Sequence, residues 1–239
     1  MSTQTNSDWP VQLVLPGQAA APEGPVDMQV MYVMHHAFRR DLAKFGAAAR
    51  HTPVEDRDTW KLLAARWQTF SEVLHLHHSG EDAGLWPWLL ERGTEEDRAT
   101  LEAMEAEHGE IDPLLATCAS GFARLESHAD DDARAALAVR LAAARESLGR
   151  HLEHEETDAI AIVQRLMTRE EWIALDEEYL QADLTLGLAV RLVPWAGYGV
   201  PREALDRVFA DTGLGFKIIW LLTRRRFARR EALAFRYVV

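Results

Sequence analysis

The stretch His77-His78-Ser79-Gly80-Glu81-Asp82-Ala83-Gly84-Leu85-Trp86-Pro87 sets a histidine four residues before a carboxylate twice over: His77 with Glu81, and His78 with Asp82. On a helix, residues four apart lie on one side, a turn apart. Leu74 and Leu85 favour His77 with Glu81 as the inward pair, and His78 with Asp82 is its rival. Further on, His151-Leu152-Glu153-His154-Glu155-Glu156 repeats the arrangement with His151 and Glu155. A carboxylate facing an apolar core is costly unless it is paired or bound to metal. No lysine or arginine shares either stripe, so the pattern points to metal.

The surrounding sequence supplies the helices. Met31, His35, Phe38, Leu42 and Phe45 recur at helical spacing and predict a first helix over about Met28–Arg50, with Asp27 as its N-cap. Thr52-Pro53-Val54-Glu55 reads as the start of a second helix, with Thr52 as cap, Pro53 at the first position and Glu55 closing a capping box. That helix carries Trp60, Leu63, Trp67, Phe70, Leu74, His77, Glu81 and Leu85 inward to about Glu91, with a kink expected at Pro87 and a stop at Gly93. Thr94 to Asp97 caps a third helix with Leu101, Met104, His108, Ile111, Leu115 and Phe122 on one side. After a turn around Ser127–Asp132, a fourth helix runs to about Met167 with Leu141, Leu148, His151, Glu155 and Ile162 inward. No alternating strand pattern interrupts them. The expected fold is all-α, an up-down-up-down four-helix bundle over residues 27–167, with an extra C-terminal helical segment.

Four histidines, His35, His77, His108 and His151, therefore fall on the inner faces of four successive helices, two of them with Glu81 and Glu155 a turn later. Imidazole and carboxylate without thiolate suit iron or manganese, with zinc possible. Two bridging carboxylates can hold two ions about 4 Å apart. Four nitrogens and four carboxylate oxygens give about eight donors, whereas two octahedral ions take about twelve. An oxo or hydroxo bridge leaves about one open position per ion, where O2, peroxide or nitric oxide can bind.

The His77–Pro87 stretch resembles the His-x3-Glu-Glu-x2-Leu-Phe-Pro signature of hemerythrin-like, HHE cation-binding domains. His151 to Glu156 resembles the second such motif, His35-His36-Ala37-Phe38-Arg39 the first-helix motif, and Glu107-His108 the third. The resemblance covers about Asp27 to Met167. It implies a non-haem di-iron bundle that binds, senses or turns over O2, peroxide or nitric oxide, with His35, His77, Glu81, His108, His151 and Glu155 as ligands. One departure stands out. Oxygen-carrying hemerythrins place two histidines four apart on the third helix, whereas here Met104 and Asp112 flank His108 at that spacing. On that ground reactive chemistry or sensing is favoured over reversible O2 carriage. The alternative to an enzyme is a non-enzymatic iron or oxygen sensor, or a metal-binding interaction module.

The remaining residues read more simply. His36, His75, His78 and His154 lie off the inner stripes, and His51 and His128 sit in turns. Met104, Trp60 and Trp67 read as core, with Met104 a candidate to line a pocket beside the metals. Cys118, the one cysteine, excludes an internal disulfide and reads as a small buried residue. No nucleophile motif or phosphate-binding loop is present.

The formal net charge of −12 argues against nucleic acid as a partner. Residues 1–26, rich in proline and glycine, read as a flexible arm without a signal peptide, and the expected location is cytoplasmic. Residues 168–239 form the extension. Thr168 with Glu171 opens a fifth helix to about Leu186, and Pro194, Gly197, Gly199 and Pro201 then break the chain. Arg224, Arg225, Arg226, Arg229, Arg230 and Arg236 close it. They read first as a solvated face docked on the acidic bundle, and second as a contact for a partner or an anionic membrane surface. Ile218–Leu222 is too short an apolar run to span a bilayer.

Overall fold

Met31, His35, Phe38, Leu42 and Phe45 line one side of α1 (Gln29–His51), and all five are buried. The structure is a computed structural model that describes residues 9–238. The polar start of the expected arm, Met1 to Asp8, lies outside the described residues. α1 begins one residue after Met28, which takes the N-cap position expected for Asp27 and offers no capping side chain, although the Asp27 carboxylate accepts the Gln29 amide hydrogen at 3.1 Å.

The start of the second helix differs from the expectation. The Thr52 amide donates to Ala48 at 2.9 Å, so Thr52 closes α1. Asp56 caps α2 (Arg57–Gly80) instead, accepting from the Thr59 amide at 3.1 Å and the Thr59 hydroxyl at 2.7 Å. α2 passes through a π-helical turn, Glu81–Leu85, into α3 (Trp86–Leu90). This wider turn lies just before Pro87, which has no N–H for the helix ladder. Gly93 then donates to the Leu89 carbonyl at 2.7 Å as the chain leaves the helix. The Thr94–Asp97 capping box opens α4 (Glu95–Ser127), as expected. Asp130 caps α5 (Asp131–His154), which runs through a second π turn, Glu155–Ala159, into α6 (Ile160–Leu166).

α1 packs along α5, α5 along α4, and α4 along α2, while α1 and α2 lie farther apart and meet through large side chains such as Phe38 with Phe70 and Phe45 with Trp67. The C-terminal helices cover that seam. The Thr168–Glu171 capping box opens α7 (Arg169–Leu175), but the helix expected to reach Leu186 ends sooner, in a third π turn, Asp176–Leu180. This turn packs tightly on the first one: a Cβ at Gly80 would collide with Leu180, and one at Gly84 with Tyr179. Thr185 caps α8 (Leu186–Gly197), so Pro194 lies inside a helix and the break comes after Gly197, where Gly199 has φ +80°. α9 (Arg202–Thr212) and α10 (Leu214–Ala234) follow. No strand occurs among the described residues.

Residues 9–28 are not a loose arm. Leu13, Leu15, Val26 and Met28 are buried in one apolar cluster with α1, α3 and α6 residues. Gln12 donates to the Val26 carbonyl at 2.8 Å, and Gln164 of α6 holds both the amide and the carbonyl of Val26, at 3.0 and 2.8 Å. Apolar side chains with a surface to cover, and paired backbone groups, outweigh the breaking effect of the prolines.

A buried charge network ties the C-terminal helices to α1 and α2. Asp41 is fully buried and meets Arg66 at 2.6 Å, Arg40 at 2.8 Å and the Trp195 indole N–H at 2.7 Å. Arg66 and Lys44 meet Glu231 of α10 at 3.0 and 2.9 Å. Burial alone would raise the Asp41 pKa, but Arg66, Arg40 and Trp195 hold it below the ordinary carboxylate value. A carboxyl held low contributes stability above its unfolded pKa and loses it as pH falls through the folded one. Replacing Asp41 by Ala leaves the buried indole N–H without its acceptor and Arg66 with Glu231 alone, and should cost about 3–5 kcal/mol in a urea titration at neutral pH. Asp41→Asn should also flatten the loss of stability on acidification; a stability unchanged in either respect would show that the network does not hold the layer.

Candidate metal centre

Seven ligand-type side chains converge inside the bundle. α1 brings His35, α2 brings His77 and His78, α4 brings His108, and α5 brings His151. Glu81 and Glu155 are the first residues of the first two π turns, and both are fully buried. A π turn offsets the residues after it from the regular ladder, a feature frequent at functional sites.

The donor atoms form two groups, each within 4.8 Å: His35, His77 and Glu155 in one, and His78, His108 and His151 in the other. Glu81 lies between them, with Oε1 3.3 Å from His77 Nε2 and Oε2 3.6 Å from His108 Nε2. Glu155 Oε2 lies 3.2 Å from His35 Nε2 and 3.8 Å from His151 Nε2. Each carboxylate thus faces both groups, which is the placement a bridge requires. All six residues expected from sequence are brought together.

The structure adds His78, which the stripe reading had set aside. The two pairs offered as rivals divide differently: both histidines face inward, Glu81 joins them, and Asp82 turns to the His108 ring. Adjacent residues on a helix stand about 100° apart, and the inward line of α2 falls between His77 and His78. The signal was present in sequence, because Leu74 and Glu81 stand at i−4 and i+3 from His78.

The donor set fits a metal by its hydrogen bonding. His35 Nε2, His77 Nε2, both ring nitrogens of His78, and all four oxygens of Glu81 and Glu155 are buried without a hydrogen-bond partner among the described residues. Buried polar atoms are ordinarily paired, and here the orphans point at one another. His108 Nε2 and His151 Nε2 are 3.1 Å apart, close to the roughly 3 Å between two nitrogens bound at right angles about 2.1 Å from one ion.

The outer nitrogens are held by carboxylates, as in many metal sites. His35 Nδ1 meets Glu156 at 2.9 Å, His108 Nδ1 meets Asp82 at 2.8 Å, and His151 Nδ1 meets Glu107 at 2.9 Å. These contacts leave each Nε2 turned inward. Glu156 is itself gripped by Arg39, at 2.6 and 2.9 Å, and by the Ala19 amide at 2.7 Å. Sequence analysis missed Glu156, Glu107 and Asp82 as supports, although each adjoins a motif it had picked out. Met104 is buried in the core, as expected, and burial pushes the Cys118 thiol up to about 12, so it stays neutral.

Without a cation, the charges in this core conflict. Burial, and then the Glu155 charge, raises the Glu81 pKa well above the usual range. Burial would raise Glu155 too, but His35 more than offsets it and holds Glu155 at about 2. Burial opposes a charge on His35, yet Glu155 and Glu156 raise its pKa to about 9. Burial, then the His35 charge, lowers His77 to about 3, and burial, then His108, drives His78 far below its ordinary value. His77 and His78 are therefore neutral and ready to bind an ion.

In the metal-free protein at neutral pH, His35 carries a proton that an incoming ion must displace, and the raised pKa of Glu81 acts in the same direction. Their raised pKa values set the sign: affinity falls as pH drops, and binding releases protons below about pH 9. Titrating a divalent metal into chelator-treated protein in weakly buffered indicator dye should show that release; metal uptake with no acidification at pH 7 would contradict this account.

Comparison with known families accords with this geometry. The sequence model of the Hemerythrin HHE cation binding domain matches residues 27–163, more than half of the 239-residue chain. Comparison with curated proteins and with solved structures finds no match. The matched segment contains every residue of the two donor groups, and the chain belongs to the hemerythrin HHE cation-binding family.

Proposed function

We propose that the chain holds a pair of non-haem iron ions between His35, His77, His78, Glu81, His108, His151 and Glu155, and presents them to O2, peroxide or nitric oxide. The observation that carries this reading is the inward convergence of buried, unpartnered imidazole nitrogens and carboxylate oxygens from four helices. Oxygen and nitrogen donors without thiolate suit iron, with manganese or zinc behind it. Five imidazole nitrogens and four carboxylate oxygens make nine donors against the about twelve of two six-coordinate ions. The remainder is room for an oxo or hydroxo bridge and a small ligand from outside.

His78 changes the functional argument. The missing second histidine on the third helix spoke against reversible O2 carriage, but α2 supplies a fifth imidazole in its place. The two groups remain unequal, with three histidines in one and two histidines and a carboxylate in the other. Bound iron would supply the electrons exchanged with the ligand. The protein orients the rings through Glu156, Asp82 and Glu107 and excludes water. Phe38 packs 5.3 Å from the His77 ring, and none of the histidines of the two groups is more than 8% exposed. Such a site admits small molecules only.

A sensing role is the second reading, favoured by one chain of contacts. His35 meets Glu156, and Glu156 holds Ala19 of the N-terminal strap. A change in the demand on His35 can thereby reach residues 9–28. Faster hydrogen exchange of that strap in one redox state than in the other supports sensing; identical exchange removes it.

Protein grown with iron should carry two irons per chain and show oxo-bridge absorption bands. His78→Ala should lower the content toward one, because its neighbours His35, His77 and Glu155 are left intact. Mixing the reduced protein with O2 separates the chemistries: a long-lived oxygenated spectrum indicates carriage, and rapid oxidation or peroxide consumption indicates turnover. Absence of bound metal after iron-supplemented growth and reconstitution would end the proposal.

A further inference from the structure

The outward face of α10 divides along its length. Leu214, Ile218, Leu221 and Leu222 recur at helical spacing and are 71, 47, 52 and 77% exposed. From Arg224 onward charge takes over: Arg224, Arg225, Arg226, Arg229 and Arg230 are exposed, as is Lys217 among the leucines. None of these six cations makes an ion pair or a side-chain hydrogen bond among the described residues. The one acid of α10, Glu231, is buried and taken up by Lys44 and Arg66. α8, which packs on α10, exposes Leu186 and Val190 as well, at 73 and 42%.

Single exposed leucines are ordinary on protein surfaces. Four on one stripe, running into an unpaired arginine cluster on a chain of net charge −12, are not. The charge network described above fixes the opposite side of α10 against α1 and α2, so this face is held outward by a rigid mount.

We propose that α10 is a peripheral docking surface for an anionic lipid bilayer. The leucine half enters the headgroup and upper acyl region, and the arginines meet lipid phosphates. Leu214 to Leu222 covers about 12 Å of helix length, which would lie along the surface as interfacial helices do. No helix among the described residues is long and apolar enough to cross a membrane, so the contact is superficial. The acidic remainder is repelled by the same surface, which orients the protein with α10 toward it. A bilayer satisfies both halves of the face together. A nucleic acid would pair the arginines and leave the leucines in water. A second copy packed face to face would cover the leucines but bring two arginine clusters together.

Flotation of the full-length, metal-loaded protein with vesicles tests this. Wild-type protein should float with phosphatidylcholine–phosphatidylglycerol vesicles in low salt, be released by high salt, and ignore pure phosphatidylcholine. Replacing Arg224, Arg225 and Arg226 by Gln removes three cations, each contributing about 1 kcal/mol, and should weaken partitioning about 100-fold. Leu222→Asp should weaken it at least about 10-fold. Both variants alter exposed side chains, and their helicity and metal content should match wild type. Failure to float, equal flotation with neutral vesicles, or undiminished binding by both variants overturns the proposal. So does duplex DNA binding, or self-association that Leu222→Asp abolishes, in protein that ignores anionic vesicles.

Discussion

Two carboxylates and five imidazoles share one buried interior. Removing a carboxylate from water costs several kcal/mol after relaxation unless opposite charge or hydrogen bonds replace the solvent. Among the described residues neither Glu81 nor Glu155 pairs with a lysine or arginine, Glu155 has His35 at 3.2 Å, and the oxygens of both acids lack hydrogen-bond partners. Bound cations would resolve the conflict, since they would neutralise the acids and use the neutral lone pairs of His77 and His78. Metal binding and bundle stability are for this reason linked quantities.

The shell around the centre follows from the same demand. A carboxylate on the outer nitrogen fixes which imidazole nitrogen faces inward, and Glu156, Asp82 and Glu107 do this for three of the five rings. Glu156 is itself a buried acid, and it is compensated by Arg39 from α1 and by the Ala19 amide. The N-terminal strap is thus part of the centre's support. On the opposite flank the first and third π turns press together so closely that only glycine fits at positions 80 and 84. The region holding Glu81 is covered by residues far away in sequence.

The C-terminal helices are integral to the architecture in the same sense. Trp195 of α8 packs into α1, its ring 5.4 Å from Phe38 and its N–H on Asp41, the residue that also pairs with Arg66 of α2. This arrangement brings the base of α10 into a buried salt-bridge network and leaves its other side facing out. Of the arginines read from sequence as docked on the acidic bundle, Arg236 comes within 3.8 Å of Asp56, whereas Arg224, Arg225, Arg226, Arg229 and Arg230 pair with no acid among the described residues.

What sequence determined by itself was local. Helical periodicity, the Thr94 and Thr168 caps, and the four-residue spacing of His77 with Glu81 and His151 with Glu155 depend only on neighbours along one helix, and each could be read from the residues. The all-α bundle and six of the seven converging side chains followed. Tertiary structure decided whatever depended on where one helix stands against another. His78 turned inward because the inward line of α2 falls between two adjacent residues, and a line of that kind is defined only by α1, α4 and α5 around it. The proline-rich residues 9–28 became a packed strap because α1, α3 and α6 together offer a surface for Leu13, Leu15 and Val26. Asp56 displaced Thr52 as the cap of α2 because Thr52 was already drawn into the last turn of α1. Spacing is a property of one helix, whereas inwardness, coverage and competition for a hydrogen bond belong to several elements at once.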